Sequence, residues 1–281
     1  MPELPEVETV VRDLRPLLVE RTIVQVQSSR KKLRRPWKRQ WNPVIVGMCV
    51  TAARRRGKWI LLDLTPKPNG VARVFRQPLL RVHLGMTGQF TVVPADAPQL
   101  DHVHLVLTLD NGSQLRFRDP RRFGAVEFFA DRADVEKAME AQLGPEPFDI
   151  DPAYFQRTVC GSGRNLKAIL LDQTTVAGVG NIYADEACFR AGLHPSRLGN
   201  SLAGEECNRL REAIETVIRR AIDNRGSTIR DYIGGSGLGG QFQNEFAVYA
   251  RTGEPCPVCG TPIARERLAG RSSHFCPNCQ R

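Results

Sequence analysis

Four cysteines near the end of the chain form two pairs, Cys256-x2-Cys259 and Cys276-x2-Cys279, with 16 residues between the pairs. Two CxxC turns at this spacing close one tetrahedral four-thiolate Zn²⁺ site, and Pro257, Gly260, Pro277 and Asn278 supply the turn chemistry around them. The competing reading is two labile disulfides or a redox pair. With all four positions filled by protein, the single zinc is structural and folds a hairpin of roughly 30 residues that is too small to hold a core of its own. That hairpin is expected to turn Arg265, Arg267 and Arg271 toward a phosphate backbone.

The second chemical group is the start of the chain. Pro2 follows the initiator methionine, and a small penultimate residue permits removal of Met1, which leaves a secondary amine. An α-amino group titrates near ~8, against ~10.4 for lysine, so an appreciable fraction is unprotonated at neutral pH and able to attack a carbonyl-like carbon. Such an amine forms an iminium with a sugar C1′, and Glu3 and Glu6 are close enough in sequence to donate a proton and to anchor the terminus. Taken alone, the same residues also fit a plain lead-in to the first helix.

Charge narrows the partner. Forty Lys and Arg against 30 Asp and Glu give 40 − 30 = +10, and four thiolates plus one Zn²⁺ lower that to about +8. Between Arg21 and Leu62 there is no acidic residue, while Arg30, Lys31, Lys32, Arg34, Arg35, Lys38, Arg39, Arg54, Arg55, Arg56 and Lys58 all fall inside. A concentrated positive field of this kind favours nucleic acid over a membrane surface. No run of about 18 apolar residues and no secretory n- and h-regions are present, so export and membrane spanning are disfavoured.

These groups need a scaffold. Glu6 to Leu18 carries Val7, Val10, Val11, Leu14, Leu17 and Leu18 at helical spacing, with Pro5 suited to the first turn. Runs at 22–27, 44–51, 59–64, 79–84, 89–93, 103–109, 114–117 and 125–129 are short, rich in branched and aromatic residues, and separated by turn formers. They predict a β-sandwich or barrel. After Asp131 the period becomes helical, over 135–143, 154–159, 166–172, 181–191 and 202–224. The fold class expected is therefore α+β and multidomain: an N-terminal β-sandwich with an opening helix (1–130), a linker (131–152), a helical domain ending in a glycine-rich loop (153–245), and a four-cysteine zinc finger (246–281).

Met1 to Val10 resembles the N-terminal signature of the bacterial formamidopyrimidine-DNA glycosylase family. So, in the same order, do Arg56-Gly57-Lys58, His83-Leu84-Gly85-Met86, Asp119 to Gly124, Leu143 to Pro147, Gly178 to Ala184 and the terminal finger. The resemblance covers essentially the whole chain. It implies a helix-two-turn-helix in the helical domain and a monomeric, bifunctional repair enzyme, cytoplasmic and associated with the nucleoid. Such an enzyme removes oxidised purines (8-oxoguanine, formamidopyrimidines) from duplex DNA and then cleaves the abasic strand by β,δ-elimination.

By the same resemblance Pro2 is the nucleophile, Glu3 the general acid, Lys58 an aid to β-elimination and Arg271 an aid to δ-elimination. Lys58 read alone is a phosphate contact. Met86, Arg121 and Phe123 match the residues that fill the void left by an extruded base, although Met86 and Phe123 without that context would be core. Asn181, Arg164, Lys167 and His102 fall at or near DNA-contacting positions. The alignment shifts around Gly161 to Arg164, and Gln99-Leu100 replaces the usual Lys-His pair. Lys67 to Pro78 is longer than the usual connection, and Gly234 to Gly240 lies where the family closes a loop over the extruded base. Two other readings compete: an endonuclease VIII-type glycosylase for oxidised pyrimidines, disfavoured by Leu4 and by the intact Met86, Arg121, Phe123 set, and a noncatalytic zinc-dependent DNA-binding protein.

Overall fold

The computed structural model describes residues 1–31, 33–66, 75–228, 235 and 238–281. Its contacts divide the chain into two compact units, one of residues 1–141 with 225–240 and the other of 142–224 with 241–281. The described residues of this segment (225–228, 235 and 238–240), assigned from sequence to the helical domain, group with the first unit.

The first unit opens with helix α1 (Leu4–Leu18), whose Val7, Val10, Val11, Leu14 and Leu18 form one fully buried stripe. Two antiparallel four-stranded sheets follow. One has the order β2-β3-β4-β8 (Met48–Arg56, Trp59–Pro66, Leu79–His83, Ala125–Phe129), the other β1-β6-β7-β5 (Ile23–Ser28, Val103–Leu109, Gln114–Arg118, Gln89–Val93). Leu62, Val82, Phe90, Leu107 and Phe117 fill the space between them together with the apolar stripe of α1. The strand expected at 44–51 is divided: Trp41–Ile45 forms a short helix α2, and β2 begins only at Met48. Gly47, with φ +87°, makes the break. Helix α3 (Arg132–Glu140), capped by Asp131, occupies much of the segment expected to be a linker. Of the long connection 67–78, residues 67–74 lie outside the described residues.

The second unit contains helices α4 (Pro152–Cys160), α5 (Leu166–Leu171), α6 (Asn181–Ala191) and α7 (Gly204–Asp223), followed by the hairpin β9–β10 (Ala264–Leu268, Arg271–Phe275). Leu210, Ala213, Ile214, Val217, Ile218 and Ala221 give α7 a buried face at helical spacing. Helix α6 is buried on most of its circumference, and its buried residues include two carboxylates, Asp185 and Glu186. Among the described residues no helix is long and apolar enough to cross a membrane.

Candidate active site and nucleic-acid interface

The first turn of α1 is built on two carboxylates. Glu3 is the N-cap, and Glu6 accepts the Glu3 N–H at 2.8 Å through Oε2. The other oxygen, Oε1, accepts the Ser227 N–H at 2.7 Å and the Ser227 hydroxyl at 3.1 Å. Gly226, at φ +75°, permits this approach, because a Cβ there would lie 2.8 Å from Glu6 Oε1. One carboxylate therefore ties the start of the chain to the stem of the 225–240 segment. Pro2 is buried and Met1 exposed. Of the glycine-rich stretch 234–240, Gly235 packs on α1, where a Cβ would meet Leu14 and the Val10 carbonyl; residues 234, 236 and 237 lie outside the described residues.

Lys58 sits at the tip of the β2–β3 hairpin. The pair Arg56↔Trp59 leaves only Gly57 and Lys58 in the turn, and Gly57 at φ +55° meets the left-handed requirement at the first central position. A lysine at a hairpin tip is normally solvated, yet Lys58 is only 7% exposed. Helix α1 is aligned with this hairpin: Arg55 Nε donates to Glu8 at 2.9 Å and Arg15 Nε to the Ala53 carbonyl at 3.2 Å. The N-terminal end of α1 therefore lies toward the Gly57–Lys58 tip.

His83, which pairs with Trp59 across the sheet, is a residue that the spacing of motifs did not single out. Burial, followed by the charges of Lys58, Arg34, Arg35 and Arg81, pushes its pKa down to about 4. The ring is neutral at pH 7, and Nδ1 accepts the Gly85 N–H at 2.9 Å, which leaves the proton on Nε2. Its place in the His83-Leu84-Gly85-Met86 motif is the signal that the sequence carries.

Two loops cross between the sheets at this end: 84–88 from β4 to β5, and 119–124 from β7 to β8. Asp119, fully buried, holds the second loop to the first. Its carboxylate accepts the Thr87 hydroxyl at 2.5 Å and the Gly124 N–H at 2.7 Å. The loops touch so closely that a Cβ on Gly85 would come within 2.5 Å of the Gly124 nitrogen. From this interlocked base Met86 and Phe123 project with 39% and 44% of their surfaces exposed, and the Arg121 guanidinium lies 4.7 Å above the Phe123 ring. Neither apolar side chain belongs to the core. His102, exposed and left-handed at φ +67°, supports the same loop by accepting the Asp119 N–H at 3.0 Å.

In the second unit, Asn181 is the first residue of α6 and its Nδ2 donates to the Ser272 carbonyl at 3.1 Å. The turns before it are held by Gln173, which accepts the Gly178 N–H at 3.0 Å and donates to the Val179 carbonyl at 2.8 Å. Arg164 is half exposed but engaged, donating to Asp172 at 2.8 Å and to the Ala168 carbonyl at 2.9 Å. That hydrogen bond holds the Asp172 carboxyl below the usual range. Lys167 corrects an expectation. It is fully buried, and its Nζ donates to Asp185 at 2.6 Å and to the Asn181 carbonyl at 2.8 Å, so no phosphate reaches it.

The four cysteine sulfurs lie within 4.8 Å of one another. Tetrahedral Zn–S bonds of about 2.3 Å require S···S edges of roughly 3.8 Å. The Cys256–Cys279 and Cys259–Cys276 separations of 3.9 and 3.5 Å match that cage, and backbone N–H groups of Val258 and Cys279 point at two of the sulfurs. In the adjoining hairpin Ala269 and Gly270 are both left-handed, as a two-residue type I′ turn requires, and Arg271 follows at once, exposed. Arg265 and Arg267 share the exposed face of β9, as the two-residue period of a strand demands.

The chain matches the formamidopyrimidine-DNA glycosylase N-terminal domain over residues 1–126, the H2TH domain of that enzyme over 143–232, and the zinc finger found in FPG and IleRS over 253–281. It is 42% identical over 287 residues to the formamidopyrimidine-DNA glycosylase of Geobacillus kaustophilus, covering 100% of both chains. Its fold is similar to the MutM (Fpg) protein of Thermus thermophilus, with a TM-score of 0.84 at 42% identity over 99% of this chain and 98% of that one. It is likewise similar to Lactococcus lactis Fpg complexed with abasic-site DNA, with a TM-score of 0.88 at 33% identity over 99% of each chain. Sandwich, helix-two-turn-helix and four-cysteine finger together define a DNA glycosylase of base-excision repair. The chain belongs to the formamidopyrimidine-DNA glycosylase family.

Proposed function

We propose that this enzyme excises oxidised purines, 8-oxoguanine and formamidopyrimidines, from duplex DNA as a monomer in the bacterial cytoplasm, and that the Pro2 nitrogen, freed by removal of Met1, is its nucleophile. Attack at C1′ expels the damaged base, with Glu3 as proton donor. The iminium then acidifies the C2′ hydrogen; Lys58 assists its removal, and the 3′ phosphate leaves with the C3′–O electron pair. Arg271 assists departure of the 5′ phosphate. Arg121 pairs with the orphaned base while Met86 and Phe123 fill the vacated stack; Asn181, Arg164 and His102 contact phosphates. One Zn²⁺ held by Cys256, Cys259, Cys276 and Cys279 fixes the finger fold.

The observation that carries this reading is the pair of exposed apolar side chains, Met86 and Phe123, on loops locked together beside the Lys58 hairpin. The packing of the sandwich does not use these two side chains, whereas base extrusion needs groups held in place to fill the vacated stack. Borohydride trapping tests the mechanism. The mature protein, shown by mass to begin at Pro2, should form a covalent complex with 8-oxoguanine:C duplex, and Pro2→Gly should not. Equal trapping by the variant would refute the amine, and faster excision of thymine glycol than of 8-oxoguanine would refute the purine assignment.

A further inference from the structure

Two residues one turn apart on α6 hold the strand that follows Arg271. Asn181 donates to the Ser272 carbonyl at 3.1 Å. Asp185 accepts the Ser273 hydroxyl at 2.8 Å through Oδ1, and its Oδ2 lies 2.9 Å from the His274 N–H and 3.1 Å from His274 Nδ1. Spacing i, i+4 places both side chains on one helix face, so three consecutive residues of β10 are gripped by a single rigid element. On the other side of the hairpin tip, the type I′ turn leaves Arg271 little backbone freedom.

Asp185 is wholly buried, and a carboxylate there without a countercharge would be costly. Lys167, equally buried, supplies the countercharge at 2.6 Å and hydrogen-bonds the Asn181 carbonyl at the same time. The lysine expected to touch DNA thus fastens the strand that carries the δ-elimination arginine.

We infer that Lys167 and Asp185 are positioning residues for Arg271: the buried pair sets the place and orientation of β10, and through it the yield of the second phosphate elimination. The inference rests on the glycosylase/lyase reading above. In that second step a proton leaves the ring-opened sugar, the C5′–O bond breaks, and the phosphate departs with the electron pair. A group that stabilises the leaving phosphate must therefore be held to within about an ångström, and misplacement by that amount costs up to about 10²-fold. The first elimination, which does not use Arg271, is not so constrained.

The test compares Asp185→Asn and Ser273→Ala with wild type on an abasic duplex, resolving the unsaturated-aldehyde end left by β-elimination from the 3′-phosphate end left by δ-elimination. Asp185→Asn should lower the δ:β product ratio on the order of tenfold. Ser273→Ala, which removes one hydrogen bond and no charge and so keeps the fold testable, should lower it less. Borohydride trapping should be unchanged in both. Adding Ser273→Ala to Arg271→Ala should lower the ratio no further, since the two act through one group. Normal trapping with an unchanged ratio overturns the positioning role, as does additivity with Arg271→Ala. Loss of trapping in Pro2-terminated wild-type protein would instead overturn the amine mechanism, a separate failure.

Discussion

At the scale of single residues, full burial against Asp185 makes Lys167 a cation that holds the protein together. Lys167→Met leaves Asp185 buried without a countercharge, a change that costs about 3–5 kcal/mol in such pairs. The urea midpoint should fall accordingly, while the salt dependence of DNA binding by the folded fraction stays put; a shallower salt slope at unchanged stability would restore the phosphate-contact role. His83 makes a pH prediction. Its folded pKa, about 4, lies below the usual 6.5, so between those values the unfolded chain binds more protons. Stability is thus fully present above pH 6.5 and is lost as pH falls toward 4, by at most about 3 kcal/mol from this group. His83→Asn keeps an acceptor near the Gly85 N–H and removes the titration. Its unfolding midpoint should therefore decline less than that of wild type between pH 7.5 and 4.5.

At the scale of elements, the two crossover loops depend on a position without a side chain. Gly85→Ala forces a left-handed conformation that costs about 1–2 kcal/mol and drives a methyl into the Phe123–Gly124 backbone. The loops must part, and Met86 and Phe123 lose their common base. Excision of 8-oxoguanine, which needs extrusion, should fall far more than cleavage of a preformed abasic site. Equal losses on both substrates would show that the loops serve only stability. Elements with strong local signals were legible in the sequence: strands 89–93, 103–109 and 125–129 and helix 181–191 have the bounds that pattern and turn residues predict. Where local preference competed with packing it misled. Val44 and Ile45 are strand formers, yet they close a helical turn in which Asn42 accepts the Trp37 indole N–H at 2.7 Å. Lys167 is the sharper case. Nothing in its neighbourhood of the sequence announces a buried partner, because Asp185 lies 18 residues away and is brought to it only by folding.

At the scale of the whole molecule, the net charge of +10 is a statement about affinity that the finger makes testable. Each phosphate neutralised contributes about 0.9 to the fall of log affinity with log salt. Arg265, Arg267 and Arg271 stand exposed on a hairpin whose fold depends on four thiolates and on the grip of α6, since the described residues give the finger only a small cluster of Val248, Ile263 and cysteines as core. Chelation of the metal should therefore unfold the hairpin, remove three cations from the duplex at once and flatten the salt slope by up to about 3, far more than the loss of a −2 metal–thiolate cluster would suggest. Arg265→Ala with Arg267→Ala, leaving the metal in place, should flatten it by about 2. The two measurements separate folding from charge. If the double variant keeps the wild-type slope while chelation abolishes binding, the finger acts as a structural clasp and the basic field that draws DNA lies in the 30–58 stretch of the first unit.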